Sequence, residues 1–288
     1  MLWESIMKEP LVSTLICTYN AENTIHWALQ SVMDQTYENQ EILILDNNSK
    51  DKTLDILKDY QKKDKRIKIF SLWKNLWAYW WLNYLLDQSK WKYIAIQDHD
   101  DVRHPDKLKK QIEFLENNEK YIWDWTWYLE YYCKSKVWFL CDEKEKQDSR
   151  VNHTSLVFRK CSKRYNTEND YLSDILFMKK ILCENKKNLY ILPWILTLHY
   201  CKENWENYSS QRFKINRKNT KRHFYVYWFD LYHIFLYFYV CLCSILPKKL
   251  KARLDYILVN KIKWWERIKN LCKDKKIREM VSYLWKAL

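Results

Sequence analysis

The sequence predicts an α/β fold in which crossover helices join the strands of a mostly parallel sheet. Four apolar, β-rich runs begin near residues 11, 41, 67 and 93, and this spacing is roughly the 30 residues of a β-α-β unit. Apolar residues at helical spacing follow the first two runs. Polar or acidic residues end several of the runs, at the edge where ligands bind in open α/β sheets.

The first unit pairs a buried strand with a helix. Leu11–Cys17 is almost entirely apolar and ends at Thr18-Tyr19-Asn20. Ile25, Leu29 and Val32 then recur at the spacing of one helical face. The sequence therefore predicts a strand, a polar loop and a helix in that order.

The second unit repeats this order, and a third strand, Ile67–Phe70, follows it. Glu41–Leu45 is apolar and β-rich, Asp46-Asn47-Asn48-Ser49 has turn and capping side chains, and Leu54 and Leu57 begin a helix. Residue type alone leaves two roles for Asp46, a ligand contact at the strand end or an N-cap at a turn.

An acidic loop follows the fourth strand, Tyr93–Ile96. Asp98 and Asp100 would project to one side of an extended backbone, with Asp101 at the next turn. Like charges this close repel, and a hard divalent cation relieves the repulsion. The loop therefore predicts a metal site, with a solvated acidic loop as the alternative. Pro105 suits the first position of the next helix, whose apolar face is formed by Leu108, Ile112 and Leu115.

Residues 121–159 are less regular. Trp123, Trp125 and Trp127 alternate in strand fashion, which predicts an edge strand in an excursion from the sheet. Asn152–Arg159 predicts a strand that returns to the sheet. His153 at its start is either a ligand contact or a packing residue.

One further helix is predicted from Ile175, Met178 and Leu182, with Asp174 in its first turn. An acidic side chain there also interacts favourably with the helix dipole. His199 lies in a later strand-like stretch, where a packing histidine and a late metal ligand are both compatible with the pattern.

The net charge of +14 is confined to the end of the chain. Up to Ser210, 31 basic and 31 acidic residues cancel, whereas Gln211–Leu288 has 19 basic and five acidic residues. This division predicts a globular domain over residues 1–210 and a basic appendage over 211–288 that binds an anionic surface.

Two further features indicate the compartment. The nine cysteines include no CxxC pair, which argues against a disulfide framework or zinc ribbon and favours a reducing cytosol. The first ten residues lack the basic start and apolar run of a signal peptide. We therefore expect the globular domain to face the cytoplasm.

Residues 224–246 form an aromatic-rich stretch of 23 residues, long enough to span a membrane. Asp230, His233 and Tyr237 share one helical face, however, and abundant Tyr and Trp favour the headgroup interface. The basic, Trp-containing segment 261–286 is consistent with lying on anionic lipid. The sequence predicts a helical tail that is peripheral to a membrane or shallowly inserted, and a solvated helical pair is the alternative.

Five ordered segments resemble the signatures of family 2 glycosyltransferases. They are Thr18-Tyr19-Asn20, Gln35-Thr36-Tyr37, Asp46–Thr53, Asn75–Asn83 and Asp98–Pro105. The resemblance covers roughly residues 10–205 and implies a GT-A fold with a nucleotide-sugar donor in the first half of the sheet. It also implies a divalent metal, Mn or Mg, a UDP-sugar donor, and a glycan or lipid-linked acceptor in cell-surface polysaccharide synthesis.

The resemblance assigns roles to individual residues. Donor-binding residues would be Thr18, Tyr19, Asn20, Asp46, Asn75 and Asp98. Asp98, Asp100 and Asp101 would hold the metal, and His153 and Lys180 would lie on the acceptor side. Asn47 stands where the family commonly has a second aspartate, a departure that bears on the identity of the nucleotide.

By the same resemblance, Asp174 would be the general base. Lys180 follows it where an arginine is usual, and Ser173 precedes it where a glutamate is common. The acceptor hydroxyl must lose a proton as it attacks the anomeric carbon, and a cation stabilises the leaving diphosphate. One base and one metal-held leaving group imply a single displacement with inversion.

Two rival functions are compatible with parts of the sequence. A non-catalytic basic protein that binds RNA or membrane through its tail is disfavoured by the five ordered motifs, and no nucleic-acid partner is expected. A nucleotidyltransferase on a similar sheet would ordinarily have a glycine- and arginine-rich phosphate loop after the first strand, and this chain has none.

The chain has no glycine and 17 tryptophans, whereas average usage of about 7% would supply roughly 20 glycines. Tryptophan is a poor substitute where the backbone needs positive φ or close approach. Trp77, Trp91 and Trp125 stand where the family resemblance implies glycine, and the same pattern fits Trp81, Trp194 and Trp205. We predict that many are glycine in the natural protein, the codon UGA having been read as tryptophan, while some, such as Trp127, are genuine. Trp77 and Trp91 should then be crowded or splayed outward near the donor site.

Overall fold

The computed structural model describes residues 9–76, 79–90, 92–132, 137–141, 152–167, 173, 174, 177, 178 and 189–201. Described residues up to 130 and from 140 to 200 belong to one compact unit, and those within 131–139, together with residue 201, belong to a second. The expected boundary near residue 210 and the helical tail lie outside the described residues and stay predictions. Within the described part of the chain, no helix is long and apolar enough to cross a membrane.

Four parallel strands form the first half of the sheet. They are β1 (Val12–Thr18), β2 (Gln40–Asp46), β3 (Ile67–Ser71) and β4 (Tyr93–Asp98). β1 pairs with both β2 and β4, and β2 pairs with β3. The register places Thr18 opposite Asp46 and Cys17 opposite Asp98, so the polar ends of these strands lie side by side, as the sequence predicts.

Four helices cover these strands. They are α1 (Ile25–Met33), α2 (Thr53–Lys63), α3 (Trp80–Gln88) and α4 (Lys107–Asn117). The predicted apolar stripe of α1 is buried and packs against Ile16, Ile42 and Ile44. The apolar stripe of α4 packs in a second cluster that includes Tyr93, Ala95 and Val157.

Helix α4 begins two residues after the predicted start. Asp106 occupies the N-cap and Lys107 is the first helical residue. The carbonyl of Pro105 accepts a hydrogen bond of 3.0 Å from the backbone N–H of Thr36. Pro105 therefore belongs to a turn that is tied to the loop after α1, which the local sequence does not reveal.

The second half of the sheet is antiparallel, and the prediction of a mostly parallel sheet is wrong there. Its strands are β5 (Val102–Arg103), β6 (Trp123–Tyr132), β7 (Val137–Cys141), β8 (Val157–Arg159) and β9 (Leu189–Cys201). The order through the described strands is β3-β2-β1-β4-β8-β6-β9-β5, with β7 on β6. Antiparallel pairing joins β4 to β8, β8 to β6, and β9 to β5.

The physical reason is that antiparallel strands need no crossover helix, so β-α-β spacing does not report them. Strand β6, which contains the alternating tryptophans, lies between β8 and β9 and is not an edge strand. The predicted return strand is shorter than expected, because a 3₁₀ turn at His153–Ser155 precedes β8.

Candidate active site

The loops after β1 and β2 are tied together at the carboxyl end of the sheet. Asp46 is 1% exposed and accepts hydrogen bonds from the Ser49 backbone N–H at 3.2 Å and the Ser49 hydroxyl at 2.5 Å. The Thr18 hydroxyl donates to the same carboxylate at 3.4 Å. Asp46 thus closes a turn, the alternative that its residue type left open, and its contact with a nucleotide base stays a prediction.

The other two donor-site residues of this loop are both exposed. Tyr19 is 40% exposed, and Asn20 has a left-handed backbone with φ of 49°. Asn20 accepts a hydrogen bond from the backbone of Lys50 at 2.9 Å, and its own N–H donates to the Ser49 hydroxyl at 3.0 Å. Asn20 therefore fixes the loop, and the contacts of Tyr19 and Asn20 with a donor stay predictions.

Asn47 has a positioning role that requires its amide group. The side chain is 2% exposed; its Nδ2 donates to Asn75 Oδ1 and to the Leu76 carbonyl, and its Oδ1 accepts from the Leu76 N–H, each at 2.8 Å. An aspartate lacks the N–H groups for the first two bonds. The departure from the family pattern at Asn47 therefore holds Asn75, a predicted donor contact, in place.

A turn, rather than an extended backbone, brings the acidic residues together. β4 ends at Asp98, His99 and Asp100 form a turn, and the Asp101 N–H approaches the Asp98 carbonyl at 3.4 Å. Burial raises the pKa of Asp98 well above its usual range, and the charges of Asp101 and Asp100 raise it further. A carboxylate that is desolvated and repelled in this way fits the neighbourhood of a cation.

Two buried polar residues support this turn, and sequence analysis missed both. Gln97 donates from Nε2 to the carbonyls of Asp98 at 3.0 Å and Asp101 at 2.7 Å. Arg103, which is fully buried, donates from Nε to Gln97 Oε1 at 2.6 Å. Burial lowers the pKa of Arg103 to about 9. A glutamine at the end of an otherwise apolar strand was the signal that could have identified this support.

Asp101 is engaged within the protein. It is fully buried, and its Oδ1 lies 2.8 Å from His199 Nδ1 and accepts from the Tyr200 N–H at 3.1 Å. Its Oδ2 accepts from the Thr154 hydroxyl at 2.6 Å. Asp101 would have to exchange one of these bonds to bind a metal, whereas Asp98 and Asp100 would not. His199 is therefore placed as a β9 residue that contacts the acidic loop.

The three-aspartate metal set stays a prediction. Among the described residues, no three or more histidine, cysteine or acidic side chains are arranged so that they could jointly hold a metal ion. The donor set that best fits a cation is Asp98 with Asp100, because the oxygens of Asp101 already have partners.

Asp174 lies within electrostatic range of the acidic loop. Its charge is among the influences that raise the pKa of Asp98, after burial and the neighbouring aspartates. Burial lowers the pKa of His153, and the charge of Asp174 opposes that shift. Asp174 has helical backbone and is partly exposed. The predicted base and the acidic loop therefore share one region, although they are distant in sequence.

Of the two predicted acceptor-side residues, His153 and Lys180, the structure describes only His153. His153 is 9% exposed, and its Nε2 lies 2.6 Å from the Tyr165 hydroxyl. This is the packing alternative, and an acceptor contact stays a prediction. Lys180 lies outside the described residues, as do Trp77 and Trp91.

Comparison with known proteins identifies the family. Residues 13–171 match Glycosyl transferase family 2. An uncharacterized glycosyltransferase of Haemophilus influenzae is 43% identical over 110 residues, 38% of this chain and 34% of that protein. The putative teichuronic acid biosynthesis glycosyltransferase TuaG of Bacillus subtilis is 40% identical over 107 residues, 37% of this chain and 42% of that protein. These matches span less than half of either relative's length.

Two solved structures share the fold at low sequence identity. S. aureus TarS 1-349 in complex with UDP-GlcNAc has a TM-score of 0.57 and 19% identity, over 67% of this chain and 59% of that chain. The mannosyltransferase PcManGT from Pyrobaculum calidifontis, in complex with GDP-Man and Mn²⁺, has a TM-score of 0.58 and 14% identity, over 97% of this chain and 86% of that chain. The family match shows that the chain belongs to glycosyl transferase family 2, and the two solved structures show that it shares their fold.

Proposed function

We propose that the chain transfers a sugar from a nucleoside diphosphate donor to a hydroxyl of a glycan or lipid-linked acceptor, with inversion at the anomeric carbon. The observation that carries this proposal is the acidic turn at Asp98–Asp101, which follows β4 at the carboxyl edge of the parallel strands in a chain that matches Glycosyl transferase family 2. Asp174 is the candidate base, and its charge contributes to the raised pKa of Asp98. An inverting displacement needs a base on one side of the sugar and a stabilised leaving group on the other.

In this mechanism Asp174 accepts the proton of the acceptor hydroxyl as its oxygen attacks the anomeric carbon. Asp98 and Asp100 would hold a divalent cation, Mn²⁺ or Mg²⁺, and Asp101 braces the loop through Thr154 and His199. The cation, when bound, supplies electrostatic stabilisation of the diphosphate leaving group.

The donor binds along the ends of the parallel strands. Thr18, Asn20 and Asp46 shape the two loops there, Tyr19 is exposed to the ligand, and Asn47 presents Asn75. We propose a UDP-sugar, and the complex of TarS with UDP-GlcNAc supports this choice at the level of the fold. A role in cell-surface polysaccharide synthesis is supported by the similarity to TuaG, a putative teichuronic acid biosynthesis glycosyltransferase.

We further propose that the enzyme works on the cytoplasmic face of a membrane, bound through residues 211–288. The support is the charge of +14, all of which lies in that segment, because anionic lipid attracts basic segments. A chain truncated after Ser210 should no longer sediment with acidic phospholipid vesicles, whereas the full chain should. Sedimentation of the truncated chain would show that the tail is not the anchor.

Donor screening by calorimetry, followed by donor hydrolysis with and without manganese, tests the catalytic proposal. We expect one nucleotide sugar to bind and to be hydrolysed slowly in a manganese-dependent way. Asp174→Asn should bind that donor with little change and should transfer its sugar about 2 to 4 decades more slowly. Failure of all nucleotide sugars to bind would overturn the proposal, and binding without turnover would favour a non-catalytic role.

A further inference from the structure

Tyr165 lies at the centre of an aromatic stack between the donor side and the proposed base. Its ring is 3% exposed and stacks on Phe177 with centroids 4.0 Å apart and planes at 20°. On its other side it stacks on Tyr79, which precedes α3, at 5.6 Å and 21°. Its hydroxyl lies 2.6 Å from His153 Nε2. The ring and the hydroxyl are therefore both held in place.

The backbone of Tyr165 is held as firmly as its side chain. The Asn83 side chain accepts from the Tyr165 N–H at 2.8 Å and donates to the Tyr165 carbonyl at 2.9 Å. Asn83 lies in α3, which follows the loop that contains Asn75 and Leu76. Tyr165 is thereby anchored to the donor side of the sheet.

The segment that contains Asp174 is attached to Tyr165 and its neighbour at two points. Ser173, which is fully buried, donates from its hydroxyl to the Asn166 carbonyl at 2.5 Å. Phe177, one helical turn beyond Asp174, is the residue that stacks on Tyr165. Because these two contacts flank Asp174, a displacement of Tyr165 displaces Asp174 as well.

The hydrogen bond to His153 extends this connection to the acidic loop. Thr154, the next residue in the 3₁₀ turn, donates to Asp101 Oδ2 at 2.6 Å. Tyr165 is therefore linked to Asp174 through Phe177 and Ser173, and to the acidic loop through His153 and Thr154.

We propose that Tyr165 is a positioning residue, whose hydroxyl bond to His153 fixes the distance between the Asp174 carboxylate and the acidic loop. This role rests on the proposed function, in which these two groups act on opposite sides of the transferred sugar. Distance matters there because a misplacement of about 1 Å between reacting groups can lower a rate by two orders of magnitude.

Tyr165→Phe removes the hydroxyl and keeps the stacked ring. We expect kcat for sugar transfer to fall on the order of 5- to 20-fold, the range for loss of one buried hydrogen bond and a small displacement, while KM for the donor stays unchanged. Tyr84→Phe is the matched control, since Tyr84 also pairs with aromatic rings, and those rings, Phe70 and Trp80, lie outside the base segment. Its kcat should equal that of the unaltered chain.

The decisive measurement combines Tyr165→Phe with Asp174→Asn. If Tyr165 acts through Asp174, Tyr165→Phe should have no further effect on the residual rate of the Asp174→Asn enzyme. A second variant, His153→Leu, removes the other end of the same hydrogen bond and should show the same loss and the same dependence on Asp174.

Three results would overturn the positioning role. They are a Tyr165→Phe rate equal to that of the unaltered chain, a loss of equal size in the presence and absence of Asp174, and a rise in donor KM without a change in kcat. Absence of any sugar transfer by the unaltered full chain is a distinct result, which would overturn the proposed function and this role with it.

Discussion

The two halves of the sheet differ in how fully their buried polar groups are hydrogen-bonded. In the parallel half, Ser13 donates to Glu41 at 2.8 Å and Thr14 donates to Gln40 at 3.2 Å, all four residues being buried. In the described residues, nine buried side-chain polar atoms have no hydrogen-bond partner, and all except Trp81 Nε1 lie on α4, β6 or β9. They belong to Lys107, Gln111, Trp123, Asp124, Trp125, Thr126, Trp127 and Thr197.

The buried polar pairs of β1 and β2 are thus hydrogen-bonded within the fold, whereas several buried polar atoms of α4, β6 and β9 are not. An unpartnered buried polar group costs about 1–3 kcal/mol. Burial and the nearby charge of Arg103 lower the pKa of Lys107 well below its usual range, and burial raises that of Asp124. Substitutions should therefore affect donor binding in one half and the rate of transfer or stability in the other.

The largest effect is expected for Asp174→Asn, which should change the rate of sugar transfer but not donor binding. Asp174→Asn should lower the rate of sugar transfer by about 2 to 4 decades, the contribution of a general base, and leave donor affinity nearly unchanged. Steady-state kinetics with donor calorimetry measures both quantities. Asp87→Asn, an exposed substitution on α3, is the control, and equal turnover by the Asp174 variant would refute its role.

Asp100→Asn, in contrast, should weaken donor binding. Because its carboxylate would hold the cation that the diphosphate requires, we expect metal-dependent donor affinity to fall by roughly 100-fold, the upper end of what loss of a metal-site partner produces. Calorimetry in the presence and absence of manganese measures this, and circular dichroism checks the fold. Undiminished affinity in manganese would remove Asp100 from the metal site.

A smaller effect is expected where the two halves meet. Thr154→Val deletes the hydroxyl that donates to Asp101 at 2.6 Å and leaves a buried carboxylate oxygen without that partner. We expect about a 10-fold loss of metal-dependent donor affinity, as for other residues that support a metal site, and a loss of about 1–3 kcal/mol in the free energy of unfolding.

Thr126→Val is the same substitution at a buried threonine of β6 whose hydroxyl has no partner. Here we expect the free energy of unfolding to stay the same or to rise by about 1 kcal/mol, because a desolvated, unpaired hydroxyl is removed. Chemical denaturation of both variants compares them directly. If both lose stability equally, the contrast between the two halves is wrong.

The sequence predicted what depends on local pattern. Mostly apolar, β-rich runs predicted the four parallel strands to within two residues at each end. The shared edge of these strands predicted that Thr18, Asp46 and Asp98 lie near one another. It could not predict the antiparallel half, because the short β5 and the position of β6 depend on pairing between distant segments.

The same limit applies within the site. Asn47 is hydrogen-bonded to Asn75, which is 28 positions away in the chain, and Tyr165 is hydrogen-bonded to Asn83, which is 82 positions away. Gln97 and Arg103 are polar residues whose burial follows only from the folded sheet. Asp101 was correctly placed in the acidic loop, but its engagement by Thr154 and His199 required the structure.

The structure bears on the missing glycines in two ways. Among the described residues, positive φ occurs at Asn20, Asn48 and Tyr79, so no described tryptophan has a left-handed backbone. The other expected reason for glycine, close backbone approach, stays a prediction for Trp81 and Trp125. Trp77 and Trp91, where crowding was expected, lie outside the described residues. Steric need for positive φ therefore does not by itself identify which tryptophans replace glycine.

Unpaired indole groups identify candidates better. The Nε1 atoms of Trp81, Trp123, Trp125 and Trp127 are buried without a hydrogen-bond partner, and glycine at any of these positions would remove that penalty. Trp127, which we expected to be genuine, shares this property, and Trp123 is a further candidate. The last prediction is therefore that the protein purified from its own organism is lighter than the sequence with 17 tryptophans. Each replacement removes an indolylmethyl group in exchange for hydrogen, so intact-mass spectrometry counts the replacements and peptide mapping locates them on β6 and α3. A native mass that matches 17 tryptophans would end the proposal and would make the unpaired indoles a real property of the antiparallel half.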